Sequence, residues 1–242
     1  HAGSADVVVH LASPPRHTQI AADARPDVAG IQHVLEYCRS QGAACVLAST
    51  AGVYRSDMAA QQNEDAPLSP ANAYAAAKLA AEERCRDAAT RFGTPSAMLR
   101  LFNVYGPGQR PPFLVPAVVD AVATGKPIEL RMPDAVRDFV FVDDVARAFV
   151  AAVDWSGSGA RAINIGSGSG TRVRDLFAMV AELLGKSPDW TPTEERSTEV
   201  QSSVADIERA HAELGWRPAV GLEAGLRATC ESPHQRATAG AT

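Results

Sequence analysis

An alternation of short apolar runs with segments of helical periodicity limits the folds open to this chain more than any other feature. Residues 7–11 and 45–49 are apolar runs of strand length, and residues 28–40 between them carry apolar side chains at helical spacing. Strands of a parallel sheet are buried on both faces, and a helix usually connects one strand to the next. We therefore predict a βαβ unit at the start of an α/β fold.

The alternation continues along the chain. An alanine-rich helix is predicted from residue 74 to about residue 92, where a Gly-Thr-Pro sequence ends it. Further strands are predicted at 97–105, 128–130, 139–142 and 162–165, and further helices at 115–124, from 143 and at 173–184, the last with Thr171 as its cap.

Composition argues against nucleic acid and membrane as partners. The 242 residues carry a net charge of −5. Residues 82–91 alternate acidic and basic side chains, so they form no basic stripe and predict a solvated helix face. No run approaches the roughly 18 apolar residues that span a bilayer, and no signal-peptide pattern is present. We expect a cytoplasmic protein whose four scattered cysteines are reduced thiols without metal-ligand spacing: Cys38, Cys45, Cys85 and Cys230.

A second pattern predicts proton transfer. Tyr74 and Lys78 are four residues apart on the predicted helix, so both side chains leave the same face. An ammonium group beside a phenol stabilises phenolate, which lets tyrosine act as an acid or a base closer to neutral pH. Thr50, in the STAGVY segment after a strand, is predicted to hold the reacting oxygen. A packed tyrosine beside a solvated lysine is the alternative interpretation of the pair taken alone.

Together with its surroundings, the pair resembles the extended short-chain dehydrogenase/reductase family, in its nucleotide-sugar epimerase and dehydratase branch. The matching blocks are DVVVHLA (6–12), ACVLAST (44–50), YAAAK (74–78), LRLFNVYGP (99–107) and LGWRP (214–218). The resemblance runs from about residue 6 to about residue 228. It implies a doubly wound parallel sheet of Rossmann type with a smaller C-terminal α/β substrate domain. The implied division is 1–165, with 106–136 contributing to the substrate domain, then 166–230. Residues 231–242 are mostly small and polar, which predicts a disordered tail.

Two family features are missing from the sequence. The GxxGxxG turn, which lets the backbone approach the pyrophosphate of a dinucleotide, is not found before the strand at 7–11, so we expect an N-terminally truncated chain. The IGSGSG segment at 165–170 does not replace it, because that segment matches a later family turn near the substrate. The Gly-Asp/Asn-Gly turn expected before Arg137 is replaced by Met132-Pro133-Asp134, which predicts a different substrate-side loop.

The resemblance also implies the ligands. NAD is the expected cofactor, in preference to NADP, and a nucleotide-diphosphate sugar is the expected substrate of a homodimer. Cofactor contacts are assigned to Leu11, Ala12, Ser13, Tyr74 and Lys78, and substrate contacts to Asn103, Phe113, Arg137 and Arg196. Guanidinium groups suit a diphosphate because they donate bidentately and remain charged.

Departures from the family narrow the predicted reaction. Dehydratases of the family carry an Asp-Glu pair directly after the threonine, and decarboxylases carry a glutamate in that stretch, whereas this chain has Ala51 and Gly52. We therefore predict a UDP-glucose 4-epimerase-like enzyme that works through a transient 4-keto sugar, with Thr50, Tyr74 and Lys78 as its catalytic residues. The alternatives are a reductase of a 4-keto sugar nucleotide and a catalytically inactive truncated binding or scaffold module.

Overall fold

Helices and strands alternate along the chain, as an α/β fold requires. The computed structural model describes residues 3–13, 25–55, 61–193 and 202–232, with the backbone alone for 25–27. In chain order the elements are β1 (Val7–His10), α1 (Arg25–Gln41), β2 (Ala44–Thr50), α2 (Ala73–Phe92), β3 (Ser96–Leu101), β4 (Asn103–Tyr105), α3 (Leu114–Thr124), β5 (Ile128–Arg131), β6 (Val136–Phe141), α4 (Val142–Val153), β7 (Ala160–Ile165), β8 (Gly170–Arg172), α5 (Val173–Leu184), β9 (Trp190–Thr193), β10 (Ser202–Ser203), α6 (Glu208–Leu214) and α7 (Leu222–Cys230).

The main sheet is parallel and covered by helices on both faces, which confirms the predicted Rossmann-like fold. Its strand order is β1-β2-β3-β7, with all three neighbouring pairs parallel. Successive residues of β2 point to opposite faces: Leu47 packs with α1 and α2, and Val46 packs with α4 and α6. This explains why apolar residues follow one another in β1 and β2 instead of alternating with polar residues.

The strand predicted at 97–105 is two strands in two different sheets. β3 pairs with β7 as far as Leu101 and Ile165. The backbone N–H of Phe102 then donates to the carbonyl of Ile165 at 3.0 Å, and from Asn103 onwards the chain pairs with β6. The prediction of one continuous strand was wrong because the end of β7 forces the chain to change partner.

The second layer is a small sheet in the order β10-β6-β4, with β8 antiparallel to β6, and a separate β5-β9 pair. Its core contains Tyr105, Phe139 and Phe141, packed against residues of α3, α5 and α7. Strands β8, β9 and β10 were not predicted from the sequence. The predicted division at residue 165 stays a prediction, and the tail predicted at 231–242 lies outside the described residues from 233 onwards.

Two local predictions were wrong. Thr171 is not the cap of α5, because it lies in β8 and the N-cap is Arg172, which makes no side-chain capping bond. Glu82 does not lie on a solvated helix face, because its side chain is fully buried. All four cysteines are free thiols. Within the described ranges, no helix is both long enough and apolar enough to cross a membrane.

Candidate active site

A cleft of about 480 Å³ lies between the main sheet and the second layer. Thr50 and Leu101, the last residues of β2 and β3, form part of one wall, and residues of β4, β5 and β6 form part of the other. The carboxyl ends of parallel strands are where open α/β sheets bind ligands. The lining includes five residues that the sequence analysis assigned to the site: Thr50, Tyr74, Asn103, Phe113 and Arg137.

The first turn of α2 places the tyrosine and the lysine. Asn72 caps the helix, since its side-chain oxygen accepts the backbone N–H of Ala75 at 2.9 Å. Tyr74 is the second residue of α2, and it lines the cleft. Lys78 lies one turn further along the helix and is only 3% exposed. The Lys78 Nζ atom is 5.8 Å from the centroid of the Tyr74 ring. The lysine is thus a buried cation beside the phenol ring and not a solvated surface residue.

Thr50 is held at the end of β2 by a tight turn. The chain forms one 3₁₀ turn at Ala51–Val53, and the Thr50 Oγ1 atom accepts the backbone N–H of Gly52 at 3.1 Å. A Cβ atom on Gly52 would lie 3.4 Å from the Cβ of Ala75, which is an ordinary van der Waals contact. The turn therefore packs directly against the start of α2.

The opposite wall carries a guanidinium and an amide. Arg137 is in β6 and lines the cleft, with its Nη1 atom donating to the carbonyl of Val136 at 3.0 Å. The Asn103 side chain donates from Nδ2 to the carbonyl of Asp138 at 2.9 Å, so the amide is fixed across the β4-β6 pair. This bond orients the Asn103 carbonyl oxygen as well as its NH₂ group.

The IGSGSG segment forms the turn after β7 and is anchored on Asp138. This buried carboxylate accepts the backbone N–H groups of Ser167, Gly168 and Ala205 at 2.6, 2.9 and 3.1 Å. Burial raises the pKa of the Asp138 carboxyl above its ordinary value, although these bonds act in the opposite direction. A Cβ on Gly166 would lie 2.7 Å from an Asp138 oxygen, so glycine is required for this close approach.

Four described residues that were assigned to the site do not line the cleft: Lys78, Leu11, Ala12 and Ser13. Leu11, Ala12 and Ser13 follow β1 at the carboxyl end of the main sheet, and the Leu11 side chain is 59% exposed. They lie at the same edge of the sheet as Thr50, because β1 and β2 are parallel neighbours. Arg196 lies outside the described residues.

The cleft contains polar side chains that the sequence analysis missed: Ser49, Gln109, Glu129 and Arg131. Glu129 and Arg131 alternate with the buried Leu130 in β5, so a period of two was the signal that could have found them. Gln109 donates to the carbonyl of Val104 at 3.0 Å, and its Oε1 atom is buried without a partner among the described residues. No sequence pattern marks this glutamine.

Several known proteins are similar to this chain in sequence and in overall fold. The model of the NAD-dependent epimerase/dehydratase family matches residues 1–166. The UDP-glucose 4-epimerase of Mycolicibacterium smegmatis is 33% identical over 217 residues, which cover 86% of this chain and 68% of that protein. The structure of MoeE5 in complex with UDP-glucuronic acid and NAD has a TM-score of 0.86 at 33% identity, covering 93% of this chain and 78% of the other. The UDP-glucose 4-epimerase of Thermotoga maritima with UDP-glucose also gives a TM-score of 0.86, at 31% identity, over 96% of this chain and 78% of that one.

Proposed function

Because the chain belongs to the NAD-dependent epimerase/dehydratase family, we propose that it epimerises a nucleotide-diphosphate sugar at C4 through a transient 4-keto intermediate. The observation that carries the proposal is the composition of the cleft. One wall has Thr50 and Tyr74, with Lys78 buried behind them, and the other has Asn103 and Arg137. A proton-transfer group therefore faces a group suited to a diphosphate across one cavity.

Proton transfer is assigned to Tyr74. As phenolate, it accepts the proton of the sugar C4 hydroxyl and later returns it, and the buried ammonium of Lys78 stabilises the negative charge on the phenol oxygen. The Thr50 hydroxyl shares the same substrate oxygen. Its Oγ1 atom already accepts the Gly52 N–H, which orients the hydroxyl proton for donation.

The diphosphate is assigned to Arg137 and Asn103. A guanidinium stays charged and donates to two phosphate oxygens at once. Asn103 is fixed by its bond to the Asp138 carbonyl and supplies polar atoms next to the guanidinium. Arg196, assigned to the same diphosphate from the family resemblance, completes the set in this proposal.

NAD is the proposed cofactor, and MoeE5 and the Bacillus cereus UDP-glucuronic acid 4-epimerase contain it in their solved structures. It would accept a hydride from the sugar and return it to the opposite face. The described residues suit it, since the Lys78 ammonium can donate to ribose hydroxyls and the exposed Leu11 offers apolar surface at the end of β1. Ala12 and Ser13 are the neighbouring contacts in the proposal. The homodimer and the cytoplasmic location remain predictions.

Epimerisation is favoured over dehydration by the turn after Thr50. Eliminating water from a sugar requires an acid and a base close to the reacting carbons. Ala51 and Gly52 supply neither. Among the described residues that line the cleft, the carboxylate belongs to Glu129, on β5 in the other wall.

Replacing Tyr74 by phenylalanine tests the proposal. Tyr74→Phe removes the phenol oxygen but keeps the ring, so we expect turnover of UDP-glucose with NAD to fall by about 10²- to 10⁴-fold while UDP binding is retained. Tyr37→Phe, a change of the same kind on α1 outside the cleft, should leave turnover as it was. Turnover in Tyr74→Phe close to that of the unchanged protein contradicts the assignment. Stoichiometric oxidation of reduced cofactor with a 4-keto sugar nucleotide would identify a reductase instead.

A further inference from the structure

A buried ion pair lies directly behind the cleft. Glu82 in α2 is fully buried, and Arg100 in β3 is 1% exposed. The guanidinium donates to both carboxylate oxygens, from Nε to Oε1 at 2.9 Å and from Nη2 to Oε2 at 2.7 Å. Arg86 adds a third bond, to Oε2, at 2.8 Å. Burial alone would raise the pKa of the Glu82 carboxyl, but the hydrogen bonds and charge of Arg100 hold it below its ordinary value.

The pair is connected to the end of β2. The Ser49 hydroxyl donates to the Oε1 atom of Glu82 at 2.6 Å. Ser49 also lines the cleft and directly precedes Thr50. The carboxylate therefore bonds α2 to the residue next to the proposed catalytic threonine.

The Arg100 guanidinium also bonds to Tyr54, the residue that follows the 3₁₀ turn at Ala51–Val53. Arg100 donates from Nη1 to the Tyr54 hydroxyl at 3.0 Å and to the carbonyl of Glu64 at 3.1 Å. The Tyr54 hydroxyl in turn donates to the Oδ1 atom of Asn164 at 2.6 Å. Ser49 and Tyr54 stand on either side of the turn that begins at Thr50, and both are bonded to the Glu82–Arg100 pair.

Glu82 belongs to the same helix stripe as the proposed catalytic residues. Tyr74, Lys78 and Glu82 follow one another at intervals of four residues, so their side chains lie on one face of α2. Any shift of β2 along this face would change the position of Thr50 relative to Tyr74. A bond from Glu82 to Ser49 opposes that shift.

Stability alone does not account for a buried ion pair at this place. Removing two charges from water offsets much of their attraction, and apolar side chains of similar volume often stabilise a core equally well. What the pair adds is directionality, because each bond fixes both distance and angle.

We propose that Glu82 and Arg100 are positioning residues for proton transfer, and that they fix both ends of segment 49–54 against α2 so that the Thr50 hydroxyl stays beside Tyr74. The inference rests on the proposed function, because the proton transfer belongs to that reaction. The position of the Thr50 side chain can be measured without turnover.

Ser49→Ala is the variant that tests it, because the change removes the bond to β2 and leaves the Glu82–Arg100 pair intact. We expect kcat to fall about 10-fold with KM for UDP-glucose unchanged within about twofold, since small displacements at a reacting centre act on the chemical step. Ser96→Ala is the matched control. Ser96 is buried at the start of β3, and its hydroxyl has no partner among the described residues, so kcat should not change. Tyr54→Phe removes the bond at the other end of the turn and should also lower kcat alone.

Hydrogen exchange at the Gly52 amide provides a readout that is independent of activity. This N–H donates to the Thr50 Oγ1 atom, so its protection reports the position of the threonine side chain. We expect exchange at least about 10-fold faster in Ser49→Ala and unchanged in Ser96→Ala. If the protein without substitutions shows no turnover, the proposed function is overturned. The exchange rate at Gly52 would still show whether the bond from Ser49 holds Thr50 in place. Unchanged exchange, or an unchanged kcat in an active Ser49→Ala protein, overturns the inference.

Discussion

Met132 has a backbone conformation that ordinarily belongs to glycine. Its φ angle is +48°, and it is the non-glycine residue with positive φ among the residues described. It opens the tight turn before β6, which closes with a bond from the Ala135 N–H to the Met132 carbonyl at 2.9 Å. The family places a glycine-containing turn here, so the methionine bears steric strain that a glycine would avoid.

Met132→Gly should therefore stabilise the fold. Relief of the left-handed strain stabilises the folded state by about 1–2 kcal/mol. The greater conformational freedom of glycine in the unfolded chain offsets about half of that gain. We expect the free energy of unfolding in urea to rise by about 0.5–1 kcal/mol. Met132→Ala keeps a Cβ atom in the same conformation and should show no such gain. Equal stabilisation by the two variants would place the effect in the side chain and not in the backbone.

The residues of the proposed site differed in how visible they were in the sequence. Tyr74 and Lys78 were recognisable because a helical interval is a local property, and the structure brings Thr50 into the same cleft. Glu82 was not recognisable from the sequence, because an acidic residue among alternating charges is typical of a solvated surface. The available signal was Arg100, a charged residue inside an apolar strand run, because a charge buried in a sheet requires a buried partner.

Helix α7 is attached to the second layer through a contact that only glycine permits. A Cβ atom on Gly225 would lie 2.1 Å from the Tyr105 hydroxyl oxygen and 2.9 Å from an atom of the Phe141 ring. Tyr105 is itself fixed, because its hydroxyl donates to the carbonyl of Leu222 at 3.2 Å. The helix and the aromatic core therefore meet at a contact with no spare volume.

Gly225→Ala should destabilise the protein, although alanine is the better helix former by about 1 kcal/mol. The added methyl forces the tyrosine or the helix to move, and overpacking of this kind costs about 1–3 kcal/mol. Thermal unfolding measures the change. Ala228→Gly, on the exposed side of the same helix, isolates the propensity and should cost about 1 kcal/mol. Stabilisation by Gly225→Ala would show that the contact is loose.

At the level of elements, sequence patterns predicted helices α1 to α5 and the longer strands, but not α6, α7 or the change of sheet at Phe102. Gly93 ends α2 in a left-handed conformation, as its position after the alanine-rich stretch indicated. The run from 96 to 105 contains no glycine or proline, so nothing local marks the change of sheet at Phe102. Strands β8, β9 and β10 are two to four residues long and carry few apolar side chains, and they exist because their neighbours supply the hydrogen bonds.

At the scale of the whole molecule, the cleft lies between two layers, so a ligand that spans it should stabilise both together. If Arg137 holds a diphosphate, UDP without its sugar should raise the unfolding temperature. The stabilisation amounts to about 2.7 kcal/mol at a ligand concentration 100 times Kd. Arg137→Ala should abolish most of this shift at the same UDP concentration.

The matched control is Arg217→Ala, which removes an exposed arginine whose partner is Glu208, outside the cleft. Its UDP-dependent shift should equal that of the unchanged protein. Scanning fluorimetry with UDP, UMP and inorganic phosphate measures the three ligands side by side. A shift that survives in Arg137→Ala would assign the diphosphate to other residues.

The passage of the chain through Phe102 limits the separation of the two walls at one end of the cleft. Leu101 stands on the wall that holds Thr50, and Asn103, two residues later, stands on the wall that holds Arg137. Two peptide units span at most about 7 Å, so at this point the walls cannot separate further without breaking the chain's geometry. Phe102 is therefore a covalent spacer, so a ligand can widen the cleft only by moving the walls apart away from this point.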